Sequence, residues 1–353
     1  MAIAILQERL PIKMEDEGMV LLKVWLIILI SLSYSYLTSS KIPSGKLRLL
    51  FLLPVFTLHS LLPLSLSSTL PTGITAFFIT WLANFKLLLF SFNLGPLSPS
   101  LSLPKFILTA AFPVKIKGSP SPLNPKPTKI LPLNLWSKAL IFAILVALCD
   151  HHKSTLPQWA VLGVYCAMLY LFIDVILGVS NMIVGSTIGV ELEPPSDEPY
   201  AATSLQDFWG RRWNLMVTDT LRYTVYLPLR VFLSKYLGKA SASAAAIATS
   251  FLVSGLMHEL IFYYMSRVRP TWEVTWFFVL HGLCVVVEVA LKRALGPKLR
   301  LHWVVTGPLT VGFVMGTGFW WFFPPLVRNQ ADARAIEEAK TLYEFIKAIF
   351  KGQ

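Results

Sequence analysis

A chain of 353 residues that is 55% hydrophobic and only 14% charged, with a mean hydropathy of +0.62, is too apolar for a soluble globular domain, whose apolar and charged shares are about 45–50% and about 25%. The formal charge of +12 does not indicate a nucleic-acid partner, because Lys and Arg are dealt out between apolar runs instead of being gathered in one domain. They read as topology signals and as contacts to anionic membrane lipids or an anionic cosubstrate.

The apolar runs have helix-spanning length and lack the alternation, about ten residues at a time, of barrel strands. The expected fold is therefore an all-α, polytopic membrane protein. Cys149, Cys166 and Cys284 stand singly, without a CxxC pair or ligand-like spacing. Neither a disulfide frame, nor a metal site, nor a bound cofactor is expected.

Residues 1–18 carry charges of both signs and read as a mobile leader. A first span is predicted at Met19–Leu37, too long for a cleaved signal, and a second at Leu47–Leu66 after the turn SSKIPSGK. The third, Gly73–Phe92, contains WLANFK: Asn84 is expected to bond a neighbouring helix and Lys86 to snorkel. Residues 93–133 are rich in Pro, Ser and Lys and read as a long basic loop. A fourth span covers Leu135–Cys149, and a fifth begins at Trp159, runs to Ile176 and continues toward Gly189, carrying Asp174 and Asn181.

Residues 191–240 are the least membrane-like part of the second half and form a cytosolic or interfacial segment. Its opening, ELEPPSDEPY, is acidic and Pro-rich, and Thr203 or Ser204 followed by Asp207 is a helix-start signature. There the apolar Phe208, Trp209, Trp213 and Met216 alternate with Arg211, Arg212 and Asn214, which suits an amphipathic helix at the interface. Three more spans follow at Ala242–Tyr264, Trp272–Leu295 and Trp303–Phe323, and residues 329–353 form an amphipathic tail expected to lie on the bilayer. The eight spans and the interfacial helices make one membrane-embedded domain, residues 1–353. Both termini then share a side, and the positive-inside rule puts the FWGRRWN side in the cytosol.

The chemistry concentrates in FLVSGLMHELIFYY, where His258 and Glu259 interrupt an apolar run at membrane depth. An ionisable side chain there costs about 2.5–3.5 kcal/mol even on lenient scales and usually faces a protein interior or a cavity. Ser254 and Gly255, one turn earlier, leave room for a substrate or a close neighbouring helix. The next span supplies His281 at similar depth, with Glu288 and Lys292 in a favourable i,i+4 order. A neutral imidazole, with a reference pKa near 6.5, suits a general base that takes a proton from a hydroxyl. No GxSxG elbow is present, so direct transfer between two bound substrates fits better than a serine acyl-enzyme.

DFWGRRWN, ending in Asn214, followed by SGLMHE, containing His258, resembles the membrane-bound O-acyltransferases, and within them the plant wax synthase branch. WLANFKLLLF and RPTWEVTWFFVLHG resemble the same branch, and the resemblance extends from Val20 to about Asn329. It implies a helical enzyme of the endoplasmic reticulum, its helices enclosing a reaction tunnel, that moves an acyl group from acyl-CoA to a long-chain fatty alcohol to give a wax ester. It further implies that His258 is the catalytic base, that Asn214 sits at the reaction centre, and that the Trp209, Arg211, Arg212 and Trp213 segment holds acyl-CoA. Glu259 and His281 stand as possible support. Where larger sterol and diacylglycerol acyltransferases carry FYxDWWN, this chain has FWGRRWN, which leaves the two arginines open between CoA phosphates and lipid headgroups. Trp209 and Trp213 are also compatible with an interface belt. The alternatives are acetyl-CoA:diacylglycerol or sterol acyl transfer on the same scaffold, a proton-coupled transporter relaying through His258, Asp174 and Glu288, and a non-catalytic scaffold. The sequence carries no signal of oligomeric state.

Overall fold

The computed structural model describes residues 2–117, 133–152, 155–296 and 302–350, and among them eight helices are long and apolar enough to cross a membrane. The spans agree with those read from hydropathy. In chain order, α1 is Ala2–Lys41, α2 Lys46–Leu61, α3 Thr69–Ser91, α4 Leu103–Ala111, α5 Leu135–His152 and α6 Gln158–Ile188. Then come α7 (Leu215–Leu221), α8 (Lys239–Ser266), α9 (Glu273–Leu295), α10 (Trp303–Thr317) and α11 (Ala331–Phe350). The residues expected as a leader continue α1, since extending a formed helix adds a hydrogen bond for each residue fixed.

Contacts gather in two compact units: residues 1–112, 261–269 and 329–353 form the first, and 113–260 with 270–328 the second. The core of the first is α3, whose Phe78, Ile79, Trp81 and Leu82 are buried in a π-helical stretch, Ala76–Ala83. Asn84 does bond a neighbouring helix: its Oδ1 lies 2.9 Å from Nδ1 of His59, and Nε2 of that ring lies 2.8 Å from Ser31 Oγ. These contacts tie α3 to α2 and α1.

Lys86 does not snorkel. It is buried, and its ammonium donates to the carbonyls of Thr109 (2.7 Å) and Phe112 (2.6 Å) at the C-terminal end of α4. Orphan carbonyls and the negative end of the helix dipole supply there what water would otherwise provide. The helix α4 lies inside the stretch read as a loop; Ser102 precedes it and Pro104 sits in its first turn, a helix-start pattern masked by the surrounding Pro and Ser content. Residues 118–132 of that stretch are outside the described residues.

The connection from α2 to α3 is pinned by charges. Glu17 accepts from the backbone N–H groups of Ser67 and Ser68, Glu338 from those of Thr69 and Leu70, and Arg267 donates to the carbonyls of Pro63, Leu64 and Leu66. Glu338 belongs to α11, so the tail is docked on the α3 N-terminus instead of merely lying on a bilayer, with Leu342 and Tyr343 left exposed.

In the second unit α6 is one 31-residue helix, which absorbs both parts of the fifth span and stops at Gly189 in the left-handed region (φ 65°). Among the described residues the extended pairing is an isolated antiparallel bridge, Ile116 to Leu192. The segment that follows carries the candidate site.

Candidate active site

Residues 193–222 wind through short turns instead of one amphipathic helix. Ser204 accepts from the Asp207 backbone and starts a single turn, Leu205–Asp207, which opens into a π turn, Phe208–Arg212. The turn closes with Trp213 N–H donating to the Phe208 carbonyl (2.8 Å). Single-turn π stretches often mark functional sites because they shift side-chain register. Here the shift stacks Phe208 on Trp213, ring centroids 5.5 Å apart.

Asn214 ends the turn in the left-handed region (φ 37°), which Asn tolerates better than most residues. It is buried, and its Oδ1 accepts from Val217 N–H as the cap of α7. With Oδ1 accepting from the cap, the N–H₂ is the donor end of the carboxamide. Asn214 and Trp213 line a narrow cleft of about 10 Å³ with Pro195 and Ser196 from the same segment and Tyr170, Ile173, Asp174 and Leu177 from α6.

Trp209 is not part of an interface belt. It lies within 5.9 Å of the Phe208, Phe251 and Phe278 rings, and its indole N–H donates to His281 Nδ1 at 2.8 Å. Indole is a donor only, so Nδ1 accepts and the His281 proton sits on Nε2, which donates to Thr317 Oγ1 (2.8 Å). The Thr317 hydroxyl in turn donates to the Phe313 carbonyl (2.8 Å). Both nitrogens of His281 are therefore committed, and its task is to hold Trp209.

The two arginines differ. Arg212 donates to Asp207 Oδ2 (2.8 Å) and to the Asp197 carbonyl (3.0 Å), and its charge is matched by those acids. Arg212 thereby clamps the turn to the segment before it. Arg211 is exposed and has no ion pair among the described residues.

His258 stands on α8, with Nδ1 2.7 Å from the Ser254 carbonyl, so Nδ1 carries the proton and Nε2 the lone pair. Its ring stacks on Phe278 (4.3 Å) and meets the edge of Phe322 (5.8 Å). Glu259 points elsewhere: it is buried and accepts from Thr275 N–H (3.2 Å) and Val274 N–H in the first turn of α9. A carboxylate at a helix N-terminus is a favourable pairing, so Glu259 joins α8 to α9 and is no direct partner of His258. Gly255 serves the same joint: a Cβ there would come 2.9 Å from the Thr275 Cα. The room it leaves is filled by the neighbouring helix and not by a substrate.

Trp209, Trp213, Asn214 and His281 thus converge. His258 reaches them through one ring, since Phe278 contacts both His258 and Trp209, but it does not line the Asn214 cleft.

Three anchors hold the segment. Glu288 accepts from Leu205 and Gln206 N–H and pairs with Lys292 (2.5 Å), which also reaches Ser204; the pair docks the turn that precedes Phe208. Lys115 sits between Asp219 (2.5 Å) and Glu193 (2.7 Å). Burial pulls its ammonium pKa down, but the hydrogen bonds to Asp219 and Glu193 outweigh that and hold it above its ordinary value.

The third anchor was not foreseen. Lys138 of α5 is buried between Asp174 of α6 (2.7 Å) and Glu198 (3.0 Å); Ser196 donates to Asp174 and Tyr170 to the second Glu198 oxygen (3.3 Å). Glu198 has φ 44°, a conformation costing a non-glycine residue on the order of 1–3 kcal/mol, held by its buried partners. Tyr200 joins from outside the spans, where burial and then a hydrogen bond to Glu198 push its phenol pKa up. A lone Lys near the start of a span reads as a topology signal, so only the paired acids reveal this cluster. Among the described residues no group of His, Cys, Asp and Glu is arranged to hold a metal ion.

Eight apolar helices define a polytopic membrane protein, and its second unit carries a half-buried histidine whose Nδ1 donates to the Ser254 carbonyl and a capped asparagine in a narrow cleft. Residues 192–280, which hold all the candidate site residues except His281, match the model of the membrane bound O-acyl transferase family. The chain is 44% identical to a long-chain-alcohol O-fatty-acyltransferase of Simmondsia chinensis, over 96% of this chain and 99% of the relative. It is 44% identical to a probable long-chain-alcohol O-fatty-acyltransferase 1 of Arabidopsis thaliana, over 95% and 98%. An acyl-CoA–sterol O-acyltransferase 1 of Arabidopsis thaliana is 41% identical, over 92% and 95%. The chain belongs to the membrane-bound O-acyltransferase family and is an O-acyltransferase of the wax synthase type.

Proposed function

We propose that the protein esterifies a long-chain fatty alcohol with the acyl group of acyl-CoA, in one direct transfer. His258 Nε2 takes the proton of the alcohol hydroxyl while the alcohol oxygen attacks the thioester carbonyl. The oxyanion accepts from the Asn214 N–H₂, the C–S bond breaks, and the proton passes to the departing CoA thiolate to give wax ester and CoA. The single observation that carries this reading is the His258 Nδ1–H bond to the Ser254 carbonyl, which leaves the basic lone pair on Nε2. The cap bond to Asn214 Oδ1 supports it, since it leaves the N–H₂ as the end of the amide able to donate to an oxyanion.

In this reading Arg211 meets the CoA phosphates from the cytosolic face, Trp213 forms a wall of the thioester site, and the two substrates meet in a tunnel that excludes water. The enzyme works in the endoplasmic reticulum membrane. The tie from Lys138 and Ser196 to Asp174, and that from Leu205 to Glu288, speak against the proton-relay alternative, since both acids serve as structural anchors. A sterol acceptor is the second reading, favoured by the relative that bears that name.

The test is to give microsomes containing the protein a panel of acyl-CoAs with fatty alcohols, sterols and diacylglycerol, and to identify products by mass spectrometry. Wax esters are expected to dominate; steryl esters as the main product would select the second reading, and no ester of any acceptor would overturn both.

A further inference from the structure

We propose that Lys138 is a positioning residue for acyl transfer: by holding Asp174 and Glu198 it fixes the stretch on which Asn214 is seated. The inference rests on the role given above to Asn214. It follows the backbone outward from that residue. Leu215 N–H donates to the Pro195 carbonyl (2.8 Å) and Asp197 N–H to the Arg212 carbonyl (2.9 Å), so residues 195–197 are paired with both flanks of Asn214. That stretch has side-chain tethers to the membrane helices: Ser196 bonds to Asp174 and Glu198 to Lys138 and Tyr170. Asp174 and Ser196 themselves line the cleft with Asn214, so the tether joins its two walls.

The charge arithmetic makes Lys138 the keystone. One ammonium lies between two carboxylates, with side chains 7%, 7% and 4% exposed for Lys138, Asp174 and Glu198. Take the ammonium away and two buried acids repel each other with little water to screen them. Glu198, held at φ 44°, then loses the partner that keeps it there. The 195–198 stretch relaxes, and the carboxamide of Asn214 moves with it. A displacement of about 1 Å at a reacting group is enough to cost on the order of 100-fold in rate. Lys138 reaches the cleft through Asp174, Glu198 and the Tyr170 ring, 5.6 Å from its ammonium, and touches nothing on the His258 side, so its removal changes kcat and leaves alcohol binding alone.

The experiment uses full-length protein in microsomes and compares Lys138→Met, Lys138→Arg, Asn214→Ala and the Lys138→Met/Asn214→Ala pair. Two quantities are read: kcat per mole of membrane-inserted enzyme, and the rate at which trypsin cuts after Arg211 or Arg212. The expected result is a kcat about 100-fold lower in Lys138→Met with an unchanged KM for alcohol. Cleavage is faster, Lys138→Arg recovers most of both, and Lys138→Met adds no further loss on top of Asn214→Ala. Wild-type kcat and cleavage in Lys138→Met overturn the inference, as do losses that multiply in the double variant while Asn214→Ala alone is impaired. Full kcat in Asn214→Ala alone overturns the role of Asn214 itself, and this inference with it. If Lys138→Met fails to insert, Ser196→Ala, which cuts one tether and leaves the charges intact, is judged on the same criteria.

Discussion

Around His258 the second unit presents rings: Phe278 at 4.3 Å, Phe322 at 5.8 Å, and Trp209 one ring further on. Around Asn214 the cleft wall mixes Ile173, Leu177, Pro195 and Trp213 with Asp174, Ser196 and Tyr170, and the charged pair Lys138 and Glu198 lies directly behind it. Under the proposed transfer, the difference assigns one substrate to each side. A lipid hydroxyl arrives on an apolar chain and suits the aromatic side. A thioester arrives attached to a polar, phosphorylated carrier and suits the side made by the tethered segment. Trp209 and Trp213, whose rings lie 6.2 Å apart, link the two sides through ring contact.

Removing the base breaks the comparison most severely. His258→Ala is expected to stay in the membrane and lose about 10²- to 10⁴-fold in ester synthesis, assayed by product mass spectrometry. Asn214→Ala comes next, with kcat lowered about 10²- to 10³-fold and a smaller change in KM, as for lost oxyanion donors elsewhere. The adjacent arginines sharpen the polar side. Arg211→Ala is expected to raise KM for acyl-CoA about tenfold at constant kcat, whereas Arg212→Ala costs about 2 kcal/mol of stability by removing the hydrogen bonds of Arg212 to Asp207 and to the Asp197 carbonyl. Steady-state kinetics and thermal melts in detergent separate the two outcomes. Trp209→Phe removes the donor to His281 and costs about 1–3 kcal/mol in the same melts, with a smaller effect on kcat than either catalytic substitution.

The smallest effect is set by pH. Lys115 has a pKa raised above its ordinary 10.5 in the folded state, so its ion pairs contribute fully below the unfolded pKa and are lost as pH rises through the folded one. Melting temperature is therefore expected to show no Lys115-dependent change from about pH 6 to pH 9. A loss begins above about pH 10.5, and Lys115→Met abolishes it.

The spans were legible because long apolar runs encode them without tertiary help. His258 was legible as an ionisable group at membrane depth, and Asn214 through the family pattern around it. What the sequence concealed depends on partners distant along the chain. Nothing local separates Lys86, which seals the end of α4, from a snorkelling lysine, or Lys138, which binds two acids 36 and 60 residues away, from a topology signal. Arg211 and Arg212 read alike until the π turn sends one outward and the other onto Asp207. Glu259, adjacent to His258, looked like its helper, yet 100° around the helix it meets the start of α9 instead.

In the proposed transfer His258 and Asn214 act on one carbonyl, and the fold sets Phe278 and Trp209 between them. An experimental structure of the protein with a non-hydrolysable thioether analogue of a long-chain acyl-CoA and a fatty alcohol tests this most directly. The expected result is the alcohol oxygen within hydrogen-bond reach of His258 Nε2, with the acyl oxygen facing the Asn214 amide. An acyl oxygen held by Asn214 while His258 stays sealed behind Phe278, or the reverse, would contradict it.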